Sequence, residues 1–242
     1  MITGIVVALP EELSTLTSKK IDKGCCVFIT DTIVLAYSGA GADNARTASE
    51  LLINQGITRL ISWGCAAALS ESLRPGDLIL ADTLIDADGT QINIHHEWIG
   101  LTNNLLSTHV SHVKAHIGSL AESRTIVAAA KDKKHLHIKT GAIALDMESV
   151  AIAKVALQND LPFLTVRTVA DPVHMDLPKA INHSLNGEGD VVLAKLLVFI
   201  ALNPTELPGL IKLGLHFNTA KNTLRSVAKQ LDRLTALVSQ AQ

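Results

Sequence analysis

The chain has 242 residues, enough for one large α/β domain or two small ones with a sizeable core. Apolar residues make up 48% and aromatic residues only 3%, so that core must be built from Leu, Ile, Val and Ala. Basic residues number 21 against 23 acidic ones, in no long block, which gives no electrostatic argument for nucleic acid or for an anionic membrane. Cys25, Cys26 and Cys65 form no paired framework and the first residues do not read as a signal peptide, so a reducing cytoplasm is the expected compartment. The longest apolar run, residues 191–202, contains Lys195 and is too short to span a bilayer, so no transmembrane segment is expected.

Residues 4–9 form a continuous apolar run, as expected of a strand buried on both faces. Pro10-Glu11-Glu12-Leu13 turns into a helix and leaves an acid at the strand end, where a solvated helix start is the plainer reading. Residues 25–29 and 32–37 read as a strand pair. The glycine turn that starts at Ser38 then leads into a helix over 45–54. Such a turn offers N–H groups to ribose or phosphate oxygens, but it lacks a dinucleotide fingerprint and a P-loop lysine. A strand over 57–62 ends in Trp63-Gly64-Cys65-Ala66-Ala67-Ala68, where small residues permit close approach of a ligand or of a packed helix.

Arg74-Pro75-Gly76-Asp77 is a turn, and a strand begins over 78–81. Residues 82–100 show little pattern beyond a turn at 86–89, although His95-His96-Glu97-Trp98 could reach a pocket. His109, His112 and His116 fall at helical spacing, but no acid or Cys joins them at matching spacing, so a metal site is set aside. Residues 117–120 suggest a strand, and 126–134 a helix whose Lys131-Asp132-Lys133-Lys134 cluster is expected in solvent.

Residues 145–172 carry the chemistry. Asp146, Met147 and Glu148 precede an apolar helix over 149–157, and a β-branched strand over 163–169 ends in Ala170-Asp171-Pro172. The helix advances roughly 18 Å and the strand returns roughly 20 Å. Glu148 and Asp171 therefore come back to one sheet edge, the edge where open α/β sheets bind ligands. A helix cap and a turn former are the plainer readings of the same two acids. Residues 174–189 are loop-rich, with a turn at 186–189. An apolar helix follows over 191–202, Asn203-Pro204 breaks it, and one or two amphipathic helices fill 207–238.

In this order the pieces resemble the nucleoside phosphorylase and nucleosidase superfamily, most of all the 5′-methylthioadenosine/S-adenosylhomocysteine nucleosidases. The likeness rests on GIVVALPEEL at 4–13, SGAGADNA at 38–45, SWGCAAALSESLRPGDLILAD at 62–82, and ALDMESVAIAKVA with LPFLTVRTVAD inside 144–171. The tail, from DLPKAI through NPTELPGLIKLG, is similar to a bacterial subgroup called hopanoid-associated phosphorylases. The resemblance implies an α/β fold, a three-layer αβα sandwich around a mixed central sheet. It also implies a single domain over 1–242 with a C-terminal helical extension from residue 204.

By the same resemblance, Asp171 protonates or hydrogen-bonds purine N7, and Glu12 orients the attacking water. Glu148 accepts hydrogen bonds from the ribose hydroxyls, Met147 packs on the sugar, and Cys65 takes a position where many relatives have Ser. Gly64 and Ser38 complete the substrate-binding set, with Arg167 in a supporting polar role. No metal and no cofactor are implied. The implied partners are a purine nucleoside with a 5′ substituent, lipid-like in adenosylhopane, and water or phosphate as co-substrate, within a homo-oligomer. Two carboxylates at Glu11-Glu12 would repel phosphate, which favours water. Ala67-Ala68 replaces a glycine pair of the family, a departure that keeps open a nucleoside-binding module without catalysis. A doubly wound NAD-binding protein is disfavoured, because no G-x-G-x-x-G follows the first strand.

Overall fold

The β-branched runs form strands and the Ala- and Leu-rich runs between them form helices, in a computed structural model that describes residues 1–94, 96–184 and 193–237. In chain order these are β1 (Thr3–Val7), α1 (Pro10–Leu13), β2 (Cys25–Thr30), β3 (Ile33–Tyr37), α2 (Ala42–Ile53) and β4 (Arg59–Ala68). Next come β5 (Leu78–Ile85), β6 (Gln91–Asn93), α3 (His96–His109), β7 (Ala115–Glu122), α4 (Ala130–Thr140) and β8 (Ala144–Asp146). The remainder is α5 (Ser149–Gln158), β9 (Phe163–Asp171), α6 (Lys179–Ser184), α7 (Leu193–Leu202), α8 (Leu207–Ala228) and α9 (Leu231–Ala236). A 3-10 turn, Pro204–Glu206, joins α7 to α8.

The strands make one mixed sheet in the order β2-β3-β1-β4-β8-β7-β5-β6, with β9 pairing both β4 and β5. A mixed central sheet with helices packed on it is therefore what the sequence predicts and what the fold has. Its closure is an addition: β4, β8, β7, β5 and β9 pair in a ring. The contact that shuts the ring is the antiparallel pairing of Leu78 with Thr168 and Ile79 with Arg167. All nine residues of β9 are buried, which explains why its sequence is rich in apolar and β-branched residues, with Arg167 and Asp171 the only charges.

Helices α2 and α5 pack on each other and on β1 and β4, while α8 lies along β9 and buries Ala220, Leu224 and Val227. Two aromatic anchors tie distant segments to this core. The Trp63 indole donates to Thr15 Oγ1 at 3.0 Å, and that of Trp98 donates to the Leu234 carbonyl at 3.1 Å.

A bulge shapes the end of β9. Ala66 of β4 pairs with Val169, but Ala67 pairs with Asp171, so Ala170 is an extra residue. Strict alternation would place Asp171 on the face of Arg167. The bulge sets it opposite Ala67 instead, re-aiming a side chain as bulges near sites do.

Several expectations need correction. The stretch 63–68 is not a loop after a strand but the second half of β4, whose pairing with β9 continues through it. Helix α3 ends at His109 and His116 lies in β7, so the three histidines do not share a helix face. His116 instead meets Asp77 at 3.1 Å. The helix predicted over 126–134 starts later and runs to Thr140, stopped by Gly141 in the left-handed region at φ 72°. In the segment without pattern, Trp98 is buried within α3 rather than lining a pocket. His95 and the turn at 186–189 lie outside the described residues.

Candidate active site

A cavity of about 300 Å³ opens at the carboxyl ends of β4 and β9. Its wall includes Glu12, Cys65, Met147, Glu148 and Asp171, with an apolar flank formed by Ile126, Val127, Leu177 and Ile181. The two carboxylates predicted to return to one edge, Glu148 and Asp171, both reach it.

Glu12 is held from both sides. Its Oε1 accepts the Cys65 N–H at 2.7 Å and its Oε2 accepts the Leu9 N–H at 3.1 Å. Burial pushes its carboxyl up to about 7, against the opposing pull of the Arg167 guanidinium and of those two N–H groups. Gly64 makes room for this arrangement. A Cβ there would lie 2.7 Å from Glu12 Oε1 and 2.6 Å from Arg167 Nη1.

Glu148 stands at the N-cap position of α5 with no side-chain hydrogen bond to the helix N–H groups, and its Oε1 accepts the Gly41 N–H at 2.9 Å. The glycine turn thus spends one N–H on a carboxylate, and Gly41 adopts φ 97°, a region open to glycine. Burial raises the Glu148 pKa, opposed by Arg167, while Asp146 adds to the rise. Asp146, unassigned by the sequence reading, orients the start of α5. Its Oδ1 accepts the N–H of Ser149 at 3.2 Å, and its Oδ2 pairs with Arg167 Nε at 2.8 Å.

Arg167 lies beneath the cavity rather than on its wall. It is 1% exposed, and its guanidinium donates to Ser62 Oγ at 2.6 Å and to the Cys65 carbonyl at 3.3 Å. It also stands 3.6 Å from Glu148, so one buried cation balances the acids around it. Ser38 too is off the wall, its hydroxyl donating to the Gly39 carbonyl at 2.7 Å. Met147 is on the wall. Cys65 is there as a neutral thiol, its pKa held well above the ordinary value by burial and then by the Glu12 charge.

The largest surprise is Lys133. The expected solvated cluster holds for its neighbours, but Lys133 is completely buried and its Nζ meets Asp171 Oδ1 at 2.6 Å. The same ammonium donates to the carbonyls of Met175 at 2.8 Å and Pro172 at 3.2 Å. Burial raises the Asp171 pKa to about 6 in spite of this cation. Helical spacing carried a signal for it: Lys133 shares the inner face of α4 with Leu136, His137 and Thr140.

A sequence model of the phosphorylase superfamily matches residues 3–196. A 5′-methylthioadenosine/S-adenosylhomocysteine nucleosidase of Staphylococcus aureus is 29% identical over 194 residues, covering 69% of this chain and 85% of that one. Among solved structures, the corresponding nucleosidase of Neisseria meningitidis, in complex with methylthio-immucillin-A, superposes with a TM-score of 0.71. It is 17% identical, over 95% of this chain and 98% of that one. Futalosine hydrolase of Helicobacter pylori gives a TM-score of 0.70 at 17% identity, over 96% of each chain.

Proposed function

This chain belongs to the phosphorylase superfamily, and on that premise we propose that its cavity hydrolyses the N-glycosidic bond of an adenosine-type nucleoside. The observation that carries the reading is the convergence of Glu12, Glu148 and Asp171 on one cavity, two of them with pKa values near neutrality.

Cleavage passes through an oxocarbenium-like sugar while negative charge grows on the departing purine. Asp171, protonated, gives its proton to purine N7 so that the base leaves neutral. Glu148 accepts hydrogen bonds from the ribose hydroxyls, and its charge favours the cationic ring. Glu12, ionised and held by two N–H groups, orients the water that attacks the sugar. Arg167 is a positioning residue that keeps Glu148 and the start of α5 in place.

Water is the nucleophile in this reading for a physical reason. None of the described residues lining the cavity is Lys or Arg, and four acids line it, Glu12, Asp146, Glu148 and Asp171. Lys133 is engaged by Asp171 and two carbonyls, and Arg167 lies below the floor. A phosphate anion would find repulsion and no cation.

The apolar flank supports a 5′ substituent of low polarity. A cavity of about 300 Å³ suits a nucleoside with a short 5′ group, and a long hydrocarbon such as that of adenosylhopane would have to extend past the partly exposed Ile126 and Ile181.

The experiment is adenine release from methylthioadenosine and from adenosylhopane, each with and without phosphate. Hydrolysis predicts phosphate-independent release, lost in Asp171→Asn. Phosphate-dependent release would replace the water mechanism, and tight binding without turnover would make the chain a nucleoside-binding module.

A further inference from the structure

The apolar surface of the chain is concentrated in α7 and α8. On α7, Leu197, Val198 and Leu202 are 58, 61 and 76% exposed, at spacing that keeps them on one face. On α8, Leu207, Ile211 and Leu215 are 45, 56 and 63% exposed, one helical turn apart. Clusters of this kind on a polar background mark an interaction surface.

The hairpin offers no straight span. Among the described residues no single helix is long and apolar enough to cross a membrane, and the pair that would be, taken together, is bent by 106°. Its charge is mostly positive. Residues 193–228 contain Lys195, Lys212, Lys221 and Arg225 against a single acid, Glu206. That acid's carboxylate is engaged by the Lys179 N–H at 2.8 Å. The slightly negative total of the whole chain conceals this local excess of positive charge. Apolar stripes flanked by Lys and Arg, with no continuous span, are the pattern of a helix that lies in the membrane interface.

We propose that the α7–α8 hairpin docks the chain on an anionic lipid bilayer. A second copy of the chain is the competing occupant, but a two-fold contact would set this basic face against itself. The hairpin also adjoins the cavity. Ile181 of α6 lines it, and His183 of the same helix stacks on Phe199 of α7 with ring centroids 4.6 Å apart. Docking would thus bring the apolar flank of the cavity close to lipid. The proposal is independent of which bond the cavity breaks.

The test is flotation of the full chain with vesicles of phosphatidylcholine alone and of phosphatidylcholine mixed with phosphatidylglycerol. Binding is expected to the mixed vesicles, weaker to the neutral ones, and to weaken with added salt. The triple variant Leu202→Asp, Ile211→Asp, Leu215→Asp should lower binding by about tenfold or more, with its thermal unfolding and its turnover of a soluble nucleoside unchanged. Lys212→Glu with Lys221→Glu should remove the preference for anionic lipid. Failure to float with either vesicle, or binding indifferent to these variants, would overturn the proposal. So would a native dimer that the triple variant dissociates without any change in flotation, which would assign the face to a second copy.

Discussion

Lys133 and Asp171 form a buried ion pair, 2.6 Å from Nζ to Oδ1, in which the lysine is fully enclosed and the aspartate faces the cavity. Two opposing effects act on the acid. Burial favours its neutral form and the ammonium favours its charged form, and burial prevails, leaving the pKa at about 6. A proton donor needs that balance: acidic enough to release its proton to a purine, weak enough to hold one near neutral pH.

Lys133→Met should therefore raise the Asp171 pKa further, which moves the pH profile of turnover to higher pH. A purely structural lysine would change the rate at every pH alike. Asp171→Asn, which removes the proton, should lower kcat by about 10²- to 10⁴-fold.

The same pair predicts an asymmetry in stability. Asp171→Asn leaves an enclosed ammonium without its counter-ion and should cost about 3 kcal/mol. Lys133→Met should cost less, because Asp171 can escape its uncompensated charge by binding a proton. Combining the two substitutions should recover much of the loss seen in Asp171→Asn. Urea unfolding of the three variants checks the order, and equal losses in both single variants would contradict it.

Turnover should follow a bell-shaped pH profile. In the proposed mechanism Glu12 acts ionised, so the rate gains as pH rises through about 7. In the same mechanism Asp171 acts protonated, so the rate declines as pH rises through about 6. With the base weaker as an acid than the donor, few molecules hold both groups correctly at once. The maximum should be low, broad and centred between those two values.

Gly64→Ala should remove most activity. The added Cβ would stand within 2.7 Å of Glu12 Oε1 and Arg167 Nη1, and neither can retreat, since both are buried and hydrogen-bonded. A displaced Glu12 no longer orients water, and a loss of about 10²-fold in kcat is expected for a misplacement on the ångström scale. On the proposed roles, kcat should fall further than substrate affinity, because the group that orients water is struck directly.

Stability itself should decline between mildly acidic and alkaline pH. Glu12 and Asp171 have folded-state pKa values of about 7 and about 6, above their ordinary 4.5 and 3.8. The folded chain therefore holds these protons more tightly than the unfolded one. That stabilisation is complete below the ordinary values and is lost as pH rises through the folded ones, a loss on the order of a few kcal/mol. The denaturation midpoint at pH 5 and pH 8 measures it, and in the Lys133→Met, Asp171→Asn double variant the Asp171 share should vanish.

Much of the site was legible because its residues sit at the ends of short-range elements. A helix followed by a returning strand brings Glu148 and Asp171 to one edge by length alone. What was hidden depends on pairing between distant segments. Lys133 stood within a run of charges that reads as solvated, and only the position of α4 over the end of β9 reveals its partner. The bulge at Ala170 and the closing contact of β5 with β9 are matters of register, which strand composition does not specify. The positive face of α7 and α8 was masked by a chain-wide charge that sums to nearly nothing.

The closed circuit of five strands has a bearing on how the molecule opens. An open sheet frays from its outermost strand, but β4 and β9 are bounded by neighbours on both sides. Their amide protons should then exchange with solvent only when the whole circuit comes apart. Those of β2, which pairs along one side only, should exchange through cheaper local excursions. The wall that carries Cys65 and Asp171 should then be in the last part of the chain to yield, so a nucleoside bound as proposed would rest on the least yielding ground the protein has.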